Sequence, residues 1–215
     1  MINNDEFNVL PLFSKVFYIK TLNYINDSEL KDILKNCKIQ KYSITQKNNF
    51  NSSKKSLDTK ILDLNSFKKL KQIIYNEFNF FKNNILKYTN TDFKITTSWI
   101  TKTQKNNFSL IHNHQNSMFS GVFYVDINEN QDNISFENVY KPSFFVEPSE
   151  YNIYNSCEQK IIVKNKTLII FPSEVHHNIL KNEMKKDRYS IAFNILPNGK
   201  FGIKNTDGEI DINVL

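Results

Sequence analysis

The four histidines of this 215-residue chain fall in two short runs. The first is Ile111-His112-Asn113-His114, and the second runs Phe171-Pro172-Ser173-Glu174-Val175-His176-His177-Asn178. Residues i and i+2 of an extended segment share a face, so His112 and His114 present two imidazoles side by side. Neutral imidazole is the commonest protein metal ligand and suits Fe, Zn, Cu and Ni. Two ligands from one strand and a third from a distant strand form a facial set that leaves positions open for substrate. His176 and His177 are adjacent, so an extended chain turns only one of them toward a given metal. An isolated His-x-His pair says little by itself. The distal histidine, with Arg188-Tyr189-Ser190 further along, is what gives the pair weight.

Arg188 is the only arginine among the 28 Lys and Arg residues. Its planar fork can grip a carboxylate with two parallel hydrogen bonds, which an ammonium cannot do. Ser190, two residues on, shares the strand face and can give a hydroxyl to the same carboxylate.

Together these residues resemble the 2-oxoglutarate/Fe(II)-dependent oxygenases, in particular a group of bacterial and phage members. The pattern of that group is a Trp strand, His-x-His, Ser-Gly-Val-Tyr-Tyr-Val, Phe-Pro-Ser with a His, then Arg-x-Ser-x-x-Phe-Asn. This chain has Ser98-Trp99, His112-Asn113-His114, Ser120 to Val125, Phe171-Pro172-Ser173, His177 and Arg188 to Asn194. The resemblance spans Pro11-Leu12-Phe13 to Asn194-Ile195-Leu196-Pro197. It implies that His112, His114 and His177 ligate Fe(II), with His176 outside the ligand set. It implies that Arg188 and Ser190 hold the distal carboxylate of the co-substrate 2-oxoglutarate. The activity it implies is a dioxygenase that uses O2, decarboxylates 2-oxoglutarate to succinate and hydroxylates a small-molecule or peptide substrate. Two departures stand out. His114 occupies the position of the carboxylate ligand common in the superfamily, and Asn165-Lys166 replaces a glycine before the Phe-Pro strand. Asn tolerates the left-handed turn that the glycine would serve. The missing carboxylate keeps a second reading in play, a cupin-type three-His metalloenzyme that does not use 2-oxoglutarate. A third is a non-catalytic jelly-roll module that binds sugar or peptide.

The elements that must position these residues divide the chain in two. A length of 215 residues and 40% hydrophobic content suit a single domain with a sizeable core. Residues 1–91 read as a helical support region and 92–197 as a jelly-roll core. The expected fold is therefore mainly β with N-terminal helices (α+β), a double-stranded β-helix buttressed by helices. Asn26 to Lys38 is a helix with Asn26 and Glu29 as a capping box. Asn65 to Tyr88 is the clearest helix, since Phe67, Leu70, Ile74, Phe78, Phe81 and Ile85 recur on one face. Val16 to Ile19 reads as an edge strand and Gln46 to Lys55 as a polar loop. From Asp92 the period changes to two. Strands are expected over 92–99, 108–113, 119–127, 133–136, 144–147, 160–163, 167–171 and 188–196, with Trp99 and Tyr124 as core aromatics.

Composition excludes several classes. No apolar run approaches the roughly 18 residues of a membrane span, and Met1 to Glu6 is polar and acidic, unlike a signal peptide. Cys37 and Cys157 match no disulfide or metal framework, which agrees with a reducing, cytoplasmic setting. The net charge of +6 comes from scattered lysines without a basic stripe, so a nucleic-acid partner is not expected.

Overall fold

The computed structural model describes residues 13–44, 52–129, 133–139, 143–144 and 146–214. The Pro11-Leu12 start of the motif pattern and most of the expected 46–55 loop lie outside them.

The chain begins with β1 (Tyr18–Thr21), α1 (Asp27–Lys38), β2 (Tyr42–Ile44) and β3 (Lys54–Ser56). Asn26 caps α1: its side chain accepts from the Glu29 amide while the Glu29 carboxylate accepts from the Asn26 amide. After two 3-10 turns comes α2 (Lys68–Phe80), which continues into a π turn over Phe81–Ile85. Leu70, Ile74, Phe78 and Phe81 are buried as the periodicity predicts. Ile85 is not, at 54% exposed. The wider i→i+5 turn shifts the phase, and Leu86, whose amide bonds the Phe81 carbonyl at 3.1 Å, takes the packing position instead.

The strands that follow are β4 (Asp92–Thr103), β5 (Ser109–His112), β6 (Phe119–Asp126), β7 (Asn133–Glu137), β8 (Glu158–Ile162), β9 (Thr167–Pro172), β10 (His176–Ile179), β11 (Arg188–Phe201) and β12 (Ile210–Ile212). They form two sheets. The major sheet has the order β1-β9-β6-β11-β4-β3-β2, with β12 added to β11, and the minor sheet has the order β5-β10-β7-β8. The expected strand over 144–147 is absent among its described residues, where Phe144 and Val146 are 88% and 83% exposed. Side chains without a second sheet to cover them gain nothing by pairing. The N-terminal region also does more than buttress, since β1 and β3 extend the major sheet along β9 and β4.

Two cores separate the layers. Phe119, Phe123, Val125, Tyr189, Ile191, Phe193 and Ile195 pack with α1 and α2 residues on the outer face of the major sheet. Gly121 belongs to that face because a Cβ there would overlap the Phe193 ring. Val122, Tyr124, Ile169 and Phe171 pack with Ile134 and Phe136 of the minor sheet. The site residues lie in this second layer. Far from it, Tyr18, Lys20 and Tyr24 all donate to Glu77, pinning β1 to α2.

No helix among the described residues is long and apolar enough to cross a membrane.

Candidate metal centre

The minor sheet brings the two histidine runs together. β10 lies antiparallel to β5 with His177 directly opposite His112, and β7 on its other side places Phe136 against His177. His114 follows β5 and is tied down by its amide, which donates to the Ser173 carbonyl at 3.0 Å. One nitrogen from each of His112, His114 and His177 lies within 4.8 Å of the others. The ring centroids are 5.4 Å apart for His112 and His114, 4.4 Å for His112 and His177, and 5.1 Å for His114 and His177. His176, pointing the other way on β10, is not in the cluster, as the parity of an extended strand requires.

Each imidazole has its Nδ1 engaged. His112 Nδ1 donates to the Leu110 carbonyl at 2.8 Å and His177 Nδ1 to the Val175 carbonyl at 3.1 Å. His114 Nδ1 faces Asn194 Oδ1 at 2.6 Å. A carbonyl oxygen can only accept, so the ring hydrogen sits on Nδ1 in all three, and the lone pair is left on Nε2. The donor set therefore fits a borderline metal such as iron, nickel or zinc. Metal bonds of about 2.1 Å would draw the three nitrogens closer together.

Burial is graded across the cluster: His112 is exposed, His114 half-buried and His177 only 5% exposed. Phe171 stands 4.9 Å and Phe136 5.8 Å from the His177 ring. This desolvation, with the two neighbouring imidazoles adding to it, pushes the His177 ring down to about 3. Burial pulls His114 down as well, against the raising effect of its Asn194 bond. Both rings stay neutral, as ligation requires. On the open side Trp99 lies 5.5 Å from the His114 ring, and the Lys55 ammonium sits 4.8 Å over the Trp99 ring. Of the two expected core aromatics, Tyr124 is buried at 2% exposed and Trp99 is half-buried against this open side.

Arg188 and Ser190 stand on β11 and are each 2% exposed. They alternate with Tyr189 and Ile191 of the outer core, so they project into the inner layer with Asn194. Ser190 pairs with Tyr124 on one side and Thr101 on the other, and Arg188 pairs with Thr103. At roughly 3.3 Å per residue, Ser190 is about 13 Å along the strand from Asn194. Arg188 is a large, fully buried side chain, and a buried charge persists only where it is paired.

What the histidine spacing did not reveal is the polar row behind His114. Thr97, Asn194 and Ser120 are direct cross-strand partners on β4, β11 and β6. The parity that places Arg188 and Ser190 on the inner face would also have placed Asn194 there.

The model of the family described as "Putative 2OG-Fe(II) oxygenase" matches residues 97–194. The sequence matches no curated protein. Among solved structures, the fold is similar to HygX from Streptomyces hygroscopicus with nickel and 2-oxoglutarate bound. There the TM-score is 0.59 at 8% identity, covering 93% of both chains. A Pseudomonas putida prolyl-4-hydroxylase gives a TM-score of 0.58 at 12% identity, covering 83% of this chain and 91% of that one. A prolyl hydroxylase from Trichoplax adhaerens gives 0.59 at 14% identity, covering 84% and 83%. At these identities the likeness is one of fold.

Proposed function

We propose that this chain, whose residues 97–194 match the model of the 2OG-Fe(II) oxygenases, hydroxylates a small-molecule or peptide substrate at a centre held by His112, His114 and His177. The single observation that carries the assignment is the convergence of three neutral imidazoles whose Nδ1 atoms are all occupied. When bound, Fe(II) with 2-oxoglutarate and O2 supplies the oxidising power, consuming 2-oxoglutarate to succinate and CO2.

The rest is work for this chain's own residues. His112, His114 and His177 would hold the metal, and the exposed position of His112 would leave it within reach of solvent. Phe136 and Phe171 pack against the His177 ring and shield its buried side from water. Arg188 and Ser190, inside the same layer, would hold the distal carboxylate of 2-oxoglutarate, the guanidinium offering up to two parallel donors and the serine a third. Trp99 and Lys55 flank the open side, from which a substrate would approach.

The three-His set also supports a second reading, a metalloenzyme that does not use 2-oxoglutarate, because no carboxylate among the described residues belongs to the cluster. Succinate formation separates the two. A binding module would show neither succinate nor stoichiometric metal.

The test is an anaerobic titration with Fe(II) and then 2-oxoglutarate, followed by visible absorption. A charge-transfer band that needs both components is expected, and it should vanish in His177→Ala and persist in His176→Ala. A band retained by His177→Ala and lost by His176→Ala would reverse the assignment of the third ligand.

A further inference from the structure

The three histidines are not held alike. His112 and His177 each donate Nδ1–H to the carbonyl two residues back in their own chain, a bond that no side-chain substitution removes. His114 has no such local partner. Its Nδ1 meets Asn194 Oδ1 at 2.6 Å and Ser120 Oγ at 2.9 Å, both from strands of the opposite sheet. Asn194 is itself oriented, because its Nδ2 donates to Thr97 Oγ1 at 3.0 Å.

The serines behind it have a direction. Ser117 donates to the carbonyls of Phe119 and Ile195 at 2.8 and 3.2 Å, and Ser173 donates to Ser117 at 3.0 Å. Ser120 Oγ stands 2.8 Å from Ser173 Oγ and donates to Asn194 Oδ1 at 2.9 Å. Every serine hydroxyl thus donates away from His114: Ser173 to Ser117, Ser117 to backbone carbonyls, and Ser120 to Asn194. Ser120 and Asn194 are left presenting lone pairs to His114, which answers with Nδ1–H. The opposite arrangement, with the amide turned and the ring hydrogen on Nε2, would leave His114 no lone pair for a metal.

We propose that Asn194 is the positioning residue of the metal centre, fixing His114 with its hydrogen on Nδ1 so that the Nε2 lone pair faces His112 and His177. The proposal rests on the reading of those three histidines as ligands and adds the reason a histidine can serve at this position. A carboxylate ligand offers lone pairs in any orientation, whereas an imidazole offers one, and only in the right tautomer. The Thr97–Asn194–Ser120 row on β4, β11 and β6 is built to choose it.

The experiment uses Zn(II) and Co(II) as probes, so that it does not depend on turnover. Zn(II) affinity is measured by competition against a chelator for the parent, Asn194→Leu, Asn194→Asp and His177→Ala. Asn194→Leu should bind about 10- to 100-fold more weakly. Asn194→Asp keeps an acceptor facing Nδ1 and should stay within a few-fold of the parent, with the Co(II) absorption bands preserved. In the metal-free parent, long-range 1H–15N correlation should show the His114 hydrogen on Nδ1. That measurement needs no variant and stands even if Asn194→Leu fails to fold. An Nε2-protonated His114, or parent-like affinity in a folded Asn194→Leu protein while His177→Ala loses the metal, would overturn the positioning role. Equal Zn(II) binding by His177→Ala and parent would instead sink the ligand assignment itself.

Discussion

The two faces of β11 are made by one run of sequence and do opposite things. Tyr189, Ile191, Phe193 and Ile195 face the helices and are all at most 4% exposed, packed into the larger apolar core. Arg188, Ser190 and Asn194 face the minor sheet, where the guanidinium and the hydroxyl lie as deep as the apolar residues and the amide is half-buried. Strand geometry imposes the alternation, so the fold can place costly polar groups on one face while the other supplies apolar burial. The residues proposed to carry function lie on the side that the second sheet covers.

The sharpest way to break this division is to cut into the apolar face. Ile191→Ala removes a fully buried side chain from the outer core and should cost about 2–5 kcal/mol of stability in urea unfolding. Metal affinity of the folded protein should be unchanged. Loss of metal at full stability would mean that the two faces are not separable.

Arg188→Lys tests the other face. Charge is kept and the planar fork is lost. A charge-assisted hydrogen bond contributes about 1.5–3 kcal/mol, so 2-oxoglutarate should bind roughly 10- to 100-fold more weakly. Iron content after anaerobic loading should stay at the parent level. Tight 2-oxoglutarate binding by the variant would remove Arg188 as the clamp and favour the reading without that co-substrate.

The smallest effect is a slope. His177 titrates near 3 in the fold and near 6.5 in an unfolded chain. Above about pH 6.5 neither state is protonated. As pH falls below that, the unfolded chain takes up a proton that the folded ring refuses, so the metal-free protein loses stability. The loss from this group approaches about 1.4 kcal/mol per pH unit. Unfolding with chelator present, at a series of pH values, should show His177→Ala with a flatter dependence and Ile191→Ala with the parental one. Equal slopes in parent and His177→Ala would mean that the buried imidazole is not what acid attacks.

Much of this arrangement was legible in the chain. The capping box at Asn26 and Glu29, the α2 stripe as far as Phe81, and the period-two strands carrying His112, Ser120 and Arg188 all rest on local patterns, and all appear in the fold. So does the cupped pair of histidine runs, because strand parity and motif spacing are local too. What stayed hidden needed partners distant in sequence. β3 and β10 are too short to show a period, and they become strands because β4 on one side and β5 and β7 on the other offer edges. Phe144 and Val146 look like strand residues, but no sheet covers them. Ile85 fell off its stripe because a π turn, invisible in apolar spacing, rotated the last turn of the helix. The Asn194 bond to His114 joins residues 80 apart, and only the assembled sheets reveal it.

The position of β11 has a consequence for how the molecule comes together. In the major sheet it lies between β4 and β6, yet it follows both in the chain. Residues such as Ile191 must find Ile100 and Phe123 across separations of many tens of residues. Until they do, β4 and β6 each hold an open edge toward a strand that has not arrived. Pairing at such long range makes folding slow relative to chains built from local contacts, and open edges are where strands from other molecules attach. Arg188, Ser190 and Asn194 therefore take their places only when β11 is seated between β4 and β6.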